Sequence, residues 1–135
     1  MKQCLACGGG PLKRSAKPVS FSYKGQVLTY QQPGEWCGVC GEGFLRKSDK
    51  EATDPVLADF QARLDNRLSP TEIRRIRKKL GLTQKQAGEM IGGGSLAFRR
   101  YETGKAVPPT GTENFLRVLD RHPDLRAELP KEVAA

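Results

Sequence analysis

The spacing of apolar residues changes period partway along the chain. In VSFSYKGQVLTY, residues 19–30, Val19, Phe21 and Tyr23 alternate with Ser20, Ser22 and Lys24. That is the two-residue repeat of a strand with one covered face. Gly25-Gln26 predicts a turn and residues 27–30 the returning strand. Pro33-Gly34 predicts a second turn leading into Glu35-Trp36. Beyond it the repeat becomes helical. Ser48-x-x-Glu51 has the form of a capping box that opens a helix, and Leu57, Phe60 and Leu64 recur at helical spacing. Pro55 would delete a hydrogen bond inside that helix, so a kinked or broken helix ending near Asn66 is expected.

The punctuation that follows is dense. Ser69-Pro70-Thr71-Glu72 reads as N-cap, first-turn proline and capping-box glutamate, starting a helix through Ile73, Ile76 and Leu80 that Gly81 stops. Thr83-x-x-Gln86 caps a second helix through Ala87, Met90 and Ile91. After Gly92-Gly93-Gly94 a third runs from about Ser95 through Phe98 and Tyr101 to Gly104. Pro108-Pro109 interrupts the chain, Phe115, Leu116 and Leu119 form the stripe of a fourth helix, and His122-Pro123-Asp124 begins a short final one. Short helix, glycine turn and short helix inside a bundle make a helix-turn-helix. Three glycines are costly in backbone entropy. Capped helices on both sides therefore argue for a tight turn with at least one positive φ, not a loose linker.

These patterns predict an α+β chain of two modules. Residues 1–66 form a small β-hairpin or three-stranded sheet plus a helix, and residues 67–135 an all-α, five-helix bundle built on the helix-turn-helix. The 135 residues suffice for two small domains. No apolar run approaches the ~20 residues of a membrane span, and MKQCLACGGG lacks the apolar core of a signal peptide. A cytoplasmic protein without a membrane partner is the expectation.

Cysteine placement sharpens the division, because all four lie in the first module, as Cys4-x2-Cys7 and Cys37-x2-Cys40. In a reducing compartment they are not expected to be disulfides. Each pair can close a tight turn that aims both sulfurs at one ion, with Zn–S distances of about 2.3 Å. Gly8-Gly9 and Gly41 free the backbone to bring amides towards the thiolates. With four thiolate ligands and the only histidine, His122, far away in sequence, the site reads as closed: one structural zinc ion per chain. A small sheet buries little core, and metal binding can supply on the order of 10 kcal/mol towards folding. Trp36, beside a ligand, is expected to pack in the core or at the zinc site and not to serve as a contact residue. A thioredoxin-like redox motif would want a single CxxC at the start of a helix.

Charge adds a partner class. The formal net charge is +8 and the pI about 9.6, which favours a polyanion. Residues 67–135 carry 14 basic and 8 acidic side chains, against 9 and 7 in residues 1–66, so the excess falls on the helix-turn-helix module. Phe98 and Tyr101, three apart, should face the core, leaving Leu96, Arg99 and Arg100 on other faces of the helix that would enter a major groove. Arg99 and Arg100 can pair with guanine O6/N7 or grip phosphate. Ser95, Gln84, Lys85 and Lys105 are candidate phosphate contacts. Arg74, Arg75, Arg77, Lys78 and Lys79 read as a solvated helix face.

GLTQKQAGEMIGGGSLAFRRYETG, with Pro108 after it, resembles the Cro/repressor class of helix-turn-helix. Together with CLACGGG, the strand pair, WCGVCGEG and FLRVLDRHPDL, nearly the whole chain resembles the MqsA family, zinc-binding antitoxins of type II toxin–antitoxin systems. The resemblance implies an N-terminal zinc domain that binds and neutralises a cognate toxin, an mRNA-cleaving ribonuclease of RelE-like fold. It implies a C-terminal domain that forms a homodimer and represses its own operon by binding palindromic double-stranded DNA. By position, Cys4, Cys7, Cys37 and Cys40 become the zinc ligands and Arg100 a base-reading arginine. Where the family's pattern has an asparagine that also reads bases, this chain has Leu96. A leucine can neither donate nor accept, though it can touch a thymine methyl.

The leading expectation is therefore an antitoxin and autorepressor with no catalysis of its own. The alternative is a stand-alone helix-turn-helix transcriptional regulator with a structural zinc module, and toxin binding by the first module separates the two. An RNA-binding knuckle would stack bases on Phe21, Tyr23 and Tyr30, but on an alternating strand these read as core. No nucleophile–base pair stands out for an enzyme.

Overall fold

A long antiparallel ribbon begins the fold. β1 (Leu12–Tyr23) pairs with β2 (Gln26–Cys37) along its full length, from Leu12↔Cys37 to Tyr23↔Gln26. β3 (Gly43–Phe44) adds a short strand against Glu35 and Trp36, giving the order β1-β2-β3. The tight turn is Lys24-Gly25, one residue earlier than the sequence suggested. Both residues have positive φ, 48° and 77°, which a two-residue hairpin of the type I′ class requires.

Pro33 and Gly34 do not turn the chain. They lie inside β2, opposite Ala16 and Ser15. β3 reaches only Glu35 and Trp36, so Pro33, which lacks an N–H, sits where β2 has a neighbour on one side only. A Cβ on Gly34 would lie 2.7 Å from the Leu45 side chain, so the glycine answers to a close approach. Trp36 packs as expected: its ring covers Gly43, where a Cβ would meet it at 2.3 Å, and its Nε1 donates to the Ser15 carbonyl at 3.0 Å.

The structure, a computed structural model, describes residues 3–130. They fall into two units, Met1–Thr53 and Asp54–Ala135, and the division lies within α1 (Lys47–Leu64). The chain does not break at Pro55: α1 is one helix through it. Proline's fixed φ is itself helical, so the helix continues while forfeiting a hydrogen bond. Ser48 is not its cap. Asp49 reaches back instead, its carboxylate accepting from the Arg46 amide at 2.9 Å, as the third residue of a capping box does. Asp49 is 2% exposed and also pairs with Arg14. The Arg14 guanidinium and the Arg46 amide hold its carboxyl below the usual range, against the opposing effect of burial. Gln32 Nε2 donates to the Asp49 carbonyl at 3.0 Å, and the Thr53 hydroxyl donates to Gln32 Oε1 at 3.0 Å. Asn66, in the left-handed region, ends the helix, and the Arg67 amide bonds the Ala62 carbonyl at 2.8 Å.

The second unit follows its punctuation closely. α2 (Pro70–Lys79), α3 (Gln84–Ile91), α4 (Ala97–Glu102), α5 (Thr110–Arg121) and a 3-10 turn (Pro123–Glu128) succeed one another. Ser69 accepts from the Glu72 amide at 3.2 Å, but the Glu72 carboxylate goes to Arg75, so that capping box is half made. The Thr83–Gln86 box is complete. Gly81 and Gly104, at φ 71° and 78°, close α2 and α4, with the Leu82 amide on the Arg77 carbonyl and the Lys105 amide on the Arg100 carbonyl. Ile73, Ile76, Leu80, Leu82, Ala87, Ala97, Phe98, Tyr101, Leu116 and Leu119 form one buried cluster. Each of its larger side chains contributes about 1.5–3 kcal/mol.

Candidate metal centre and nucleic-acid interface

Two loops of the same design build the thiol cluster. The Cys4 carbonyl accepts from the Gly8 amide at 2.8 Å, and the Cys37 carbonyl from the Gly41 amide at 3.0 Å. Gly8 and Gly41 both have positive φ, 67° and 78°, a conformation that glycine adopts without strain. The loops face one another so that the four sulfurs lie within 4.8 Å. Across the loops, Cys4 Sγ stands 3.6 Å from Cys40 Sγ and Cys7 Sγ 3.7 Å from Cys37 Sγ. Sulfurs arranged tetrahedrally about 2.3 Å from a common centre would stand about 3.8 Å apart. The donor set therefore fits one ion held by four thiolates, and the cluster can bind a metal.

Amides turned onto the sulfurs favour that charge state. Gly9 N–H points at Cys7 Sγ at 3.4 Å, and the Val39 and Cys40 amides at Cys37 Sγ at 3.4 and 3.5 Å. The Cys40 and Val39 amides bring the Cys37 thiol down to about 6 despite burial. The Cys7 amide lowers Cys4 in the same way. At Cys40 the Glu42 amide pulls downward, but burial and the three neighbouring sulfurs outweigh it and push the thiol up to about 12. Four crowded sulfurs cannot all ionise by themselves, whereas a cation at their centre would remove the conflict. Cys4 and Cys37 are buried and Cys7 and Cys40 exposed. Exposed Leu5 and Val39 sit between the cysteines of each loop, and Leu5 also lines an open cleft of about 450 Å³ with Gln3, Leu12, Glu35 and Phe44.

In the second unit the triple-glycine turn is tight. Gly92, Gly93 and Gly94 have φ of 131°, 99° and 94°. The Gly92 and Gly94 amides both bond the Gly88 carbonyl, at 3.1 and 3.2 Å. A Cβ on Gly88 would lie 1.8 Å from the Gly94 carbonyl oxygen, so a glycine inside α3 is needed for the turn to fold back on it. Phe98 and Tyr101 are buried in edge-to-face contact at 5.4 Å, which turns Arg99 and Arg100 outward. Lys85, Ser95, Leu96, Arg99, Arg100 and Lys105 are exposed and Gln84 is half-buried at the first turn of α3.

The basic run on α2 is not simply a solvated face. Arg75 pairs with Glu72 and Asp120, and Lys79 with Asp120. Arg77 grips Glu102 through two hydrogen bonds of 2.8 and 2.9 Å and donates a third to the Leu82 carbonyl at 2.9 Å. That pair fixes α4 against α2. Arg74 and Lys78 remain exposed on α2. Arg99, Arg100 and Lys85 have no acidic partner among the described residues, unlike the cations that serve the fold. Sequence reasoning missed Gly88, Asp49 and the partners of Arg77. A glycine in the middle of an otherwise helical run was the one local signal on offer.

The family described as "Antitoxin component of bacterial toxin-antitoxin system, MqsA" matches residues 1–130. The "Antitoxin MqsA" of Escherichia coli strain K12 is 36% identical over 129 residues, which cover 94% of this chain and 98% of that protein. A solved structure of the N-terminal domain of the E. coli protein MqsA superposes with a TM-score of 0.44 at 20% identity, covering 48% of this chain and 98% of the other. Among the described residues no helix is long and apolar enough to cross a membrane.

Proposed function

This chain belongs to the MqsA antitoxin family, and from that premise we propose that it neutralises a cognate toxin and represses its own operon. Residues 1–66 are the toxin-binding module, residues 67–135 the DNA-binding and dimerising one. The toxin is an mRNA interferase of RelE-like fold, and the setting is the cytoplasm. Neither role needs catalysis.

In the first module Cys4, Cys7, Cys37 and Cys40 hold one zinc ion, which supplies structure and no reaction. The preference for zinc rests on the donor set, since four thiolates in a tetrahedral arrangement suit that ion. The toxin meets a surface that the knuckles hold open, where exposed Leu5 and Val39 offer apolar contact beside the cleft.

In the second module α4 lies in the major groove of a palindrome, with the two copies of a homodimer on successive half-sites. Arg100 pairs with a guanine, Arg99 supports it, and Gln84, Lys85, Ser95 and Lys105 meet phosphates. The observation that carries this reading is the contrast among cations. Arg77 is tied into the fold, while Arg99 and Arg100 are exposed beside a turn built from positive-φ glycines.

The test is to co-express the full chain with the product of the adjacent reading frame. A stoichiometric complex that relieves toxicity, and that residues 1–66 reproduce, is the expected result. A folded, metal-loaded chain that ignores that product and still binds DNA would instead be a stand-alone regulator.

A further inference from the structure

The two long edges of the ribbon in the first unit differ. The register of β1 and β2 runs without a bulge from Leu12↔Cys37 to Tyr23↔Gln26. Each strand therefore aims its backbone groups alternately at its partner and away from it. Two observations fix the phase. The two-residue turn Lys24-Gly25 makes Tyr23↔Gln26 a hydrogen-bonded pair, and the Cys37 amide turns away from β1 to the Glu42 carbonyl at 2.9 Å. Counting by twos from either end gives the same answer: even-numbered residues of β1 and odd-numbered residues of β2 aim their N–H and C=O groups outward.

The outer edge of β1 is guarded. Pro18, near its middle, has no N–H to offer, and Lys13, Arg14 and Lys17 stand along the strand. Both features discourage a further strand. On its outer side β2 is paired only at Glu35 and Trp36. From Gln26 to Gln32 it has no proline and no charge, so among the described strands none pairs with the outward groups of Val27, Thr29 and Gln31. Their side chains are exposed, and by alternation they share a face with Glu35, which lines the open cleft beside Leu5 and Phe44. Resting on the proposed toxin-neutralising role, we infer that the free edge of β2 takes an extended segment of the toxin as an added strand in line with β3. The main-chain ladder supplies the affinity. Position and charge decide the occupant. The edge begins two residues from Glu35, so one partner can reach both the strand and the cleft. A second copy would bring like charges, because residues 12–34 carry Lys13, Arg14, Lys17 and Lys24 and no acidic side chain. An incoming strand with acidic flanks suits this ribbon better than another ribbon does.

The experiment follows hydrogen exchange, amide by amide, in the full-length, metal-loaded chain with and without the product of the adjacent reading frame. The Val27, Thr29 and Gln31 amides should exchange fast in the free chain and about tenfold or more slower in the complex. Leu28 and Tyr30, whose amides face β1, should be slow in both. Thr29→Pro removes one outward donor and spares the β1–β2 ladder, so it should weaken the complex about tenfold. Ser20→Pro, the same change on the outer edge of β1, should leave it unaltered. A complex in which Val27, Thr29 and Gln31 do not slow, or which both prolines weaken alike, overturns strand addition and leaves the antitoxin reading standing. Slowing that appears without the toxin as the chain is concentrated names a second copy as the occupant and overturns it too. A metal-loaded chain that forms no complex with that product overturns the antitoxin reading as well.

Discussion

The first unit buries two cysteines, Cys4 and Cys37, with the polar side chains of Gln32, Asp49 and Thr53, while the second buries ten mostly apolar side chains in one cluster. Their stabilities therefore have different origins. Hydrogen bonds and ion pairs such as Arg14–Asp49 give modest net energy and define geometry, since a buried polar group left without its partner is costly. An apolar cluster is non-directional and sums over its area. Among the described residues the first unit has no such cluster, and a metal taken up by its four thiolates would supply closure energy that a sheet of this size lacks. The lesson is that a small sheet can present a long exposed ribbon when buried polar contacts define its base and four sulfurs stand together at one end.

The largest expected effect breaks the comparison at those sulfurs. Cys37→Ser, or chelation, should remove on the order of 10 kcal/mol of metal-linked folding energy. Amide spectra of the full chain should show the resonances of Met1–Thr53 collapse while those of Asp54–Ala135 persist. Loss of both sets together would mean that the units do not fold separately.

Next in size is the reverse cut. Arg77 and Glu102 are 11% and 4% exposed at their side chains, and removing one partner of a buried pair leaves the other charge uncompensated. Arg77→Ala should destabilise the second unit by about 3–5 kcal/mol in urea unfolding, with metal stoichiometry unchanged.

Arg100→Ala sharpens the comparison by touching function without stability. It should cost about 1–3 kcal/mol of DNA affinity and relax base preference at one position per half-site, with melting unaltered. A uniform loss over all sequences would make Arg100 a phosphate contact.

The smallest effect concerns pH. Hydrogen bonds from Arg75, supported by Lys79 and opposed by burial, bring the Asp120 carboxyl down to about 2. A depressed carboxyl contributes stability above its unfolded value of about 4 and loses it as pH falls towards 2. Asp120→Asn should therefore unfold at lower urea than the parent at neutral pH and at the same urea below pH 2. The metal-dependent unit should not distinguish the two proteins.

Much of the fold was legible because its signals are local. A cap, a stop or a knuckle is a hydrogen bond between residues a few positions apart, so Thr83–Gln86, Gly81 and the two CxxC loops follow from spacing. The doubled CxxC also marked the thiol cluster, and the positions of Phe98 and Tyr101 left Arg99 and Arg100 outside. Local chemistry misled where two readings shared one signature. Pro33-Gly34 has the composition of a turn, yet a strand without a second neighbour accepts the proline, and the approach of Leu45 requires the glycine. Ser48 looked like the cap, but the helix starts at Lys47, and the Asp49 carboxylate, also paired with Arg14, reaches back to the Arg46 amide.

The sequence by itself thus determined the period of each element, most of the helix ends and the residues of the thiol cluster, since each depends on neighbours along the chain. Tertiary structure decided which cations would stay free. Arg77 and Glu102 stand 25 residues apart, and nothing near either one names the other. Only when α2 and α4 pack does one arginine become part of the fold, while Arg99 and Arg100 stay exposed.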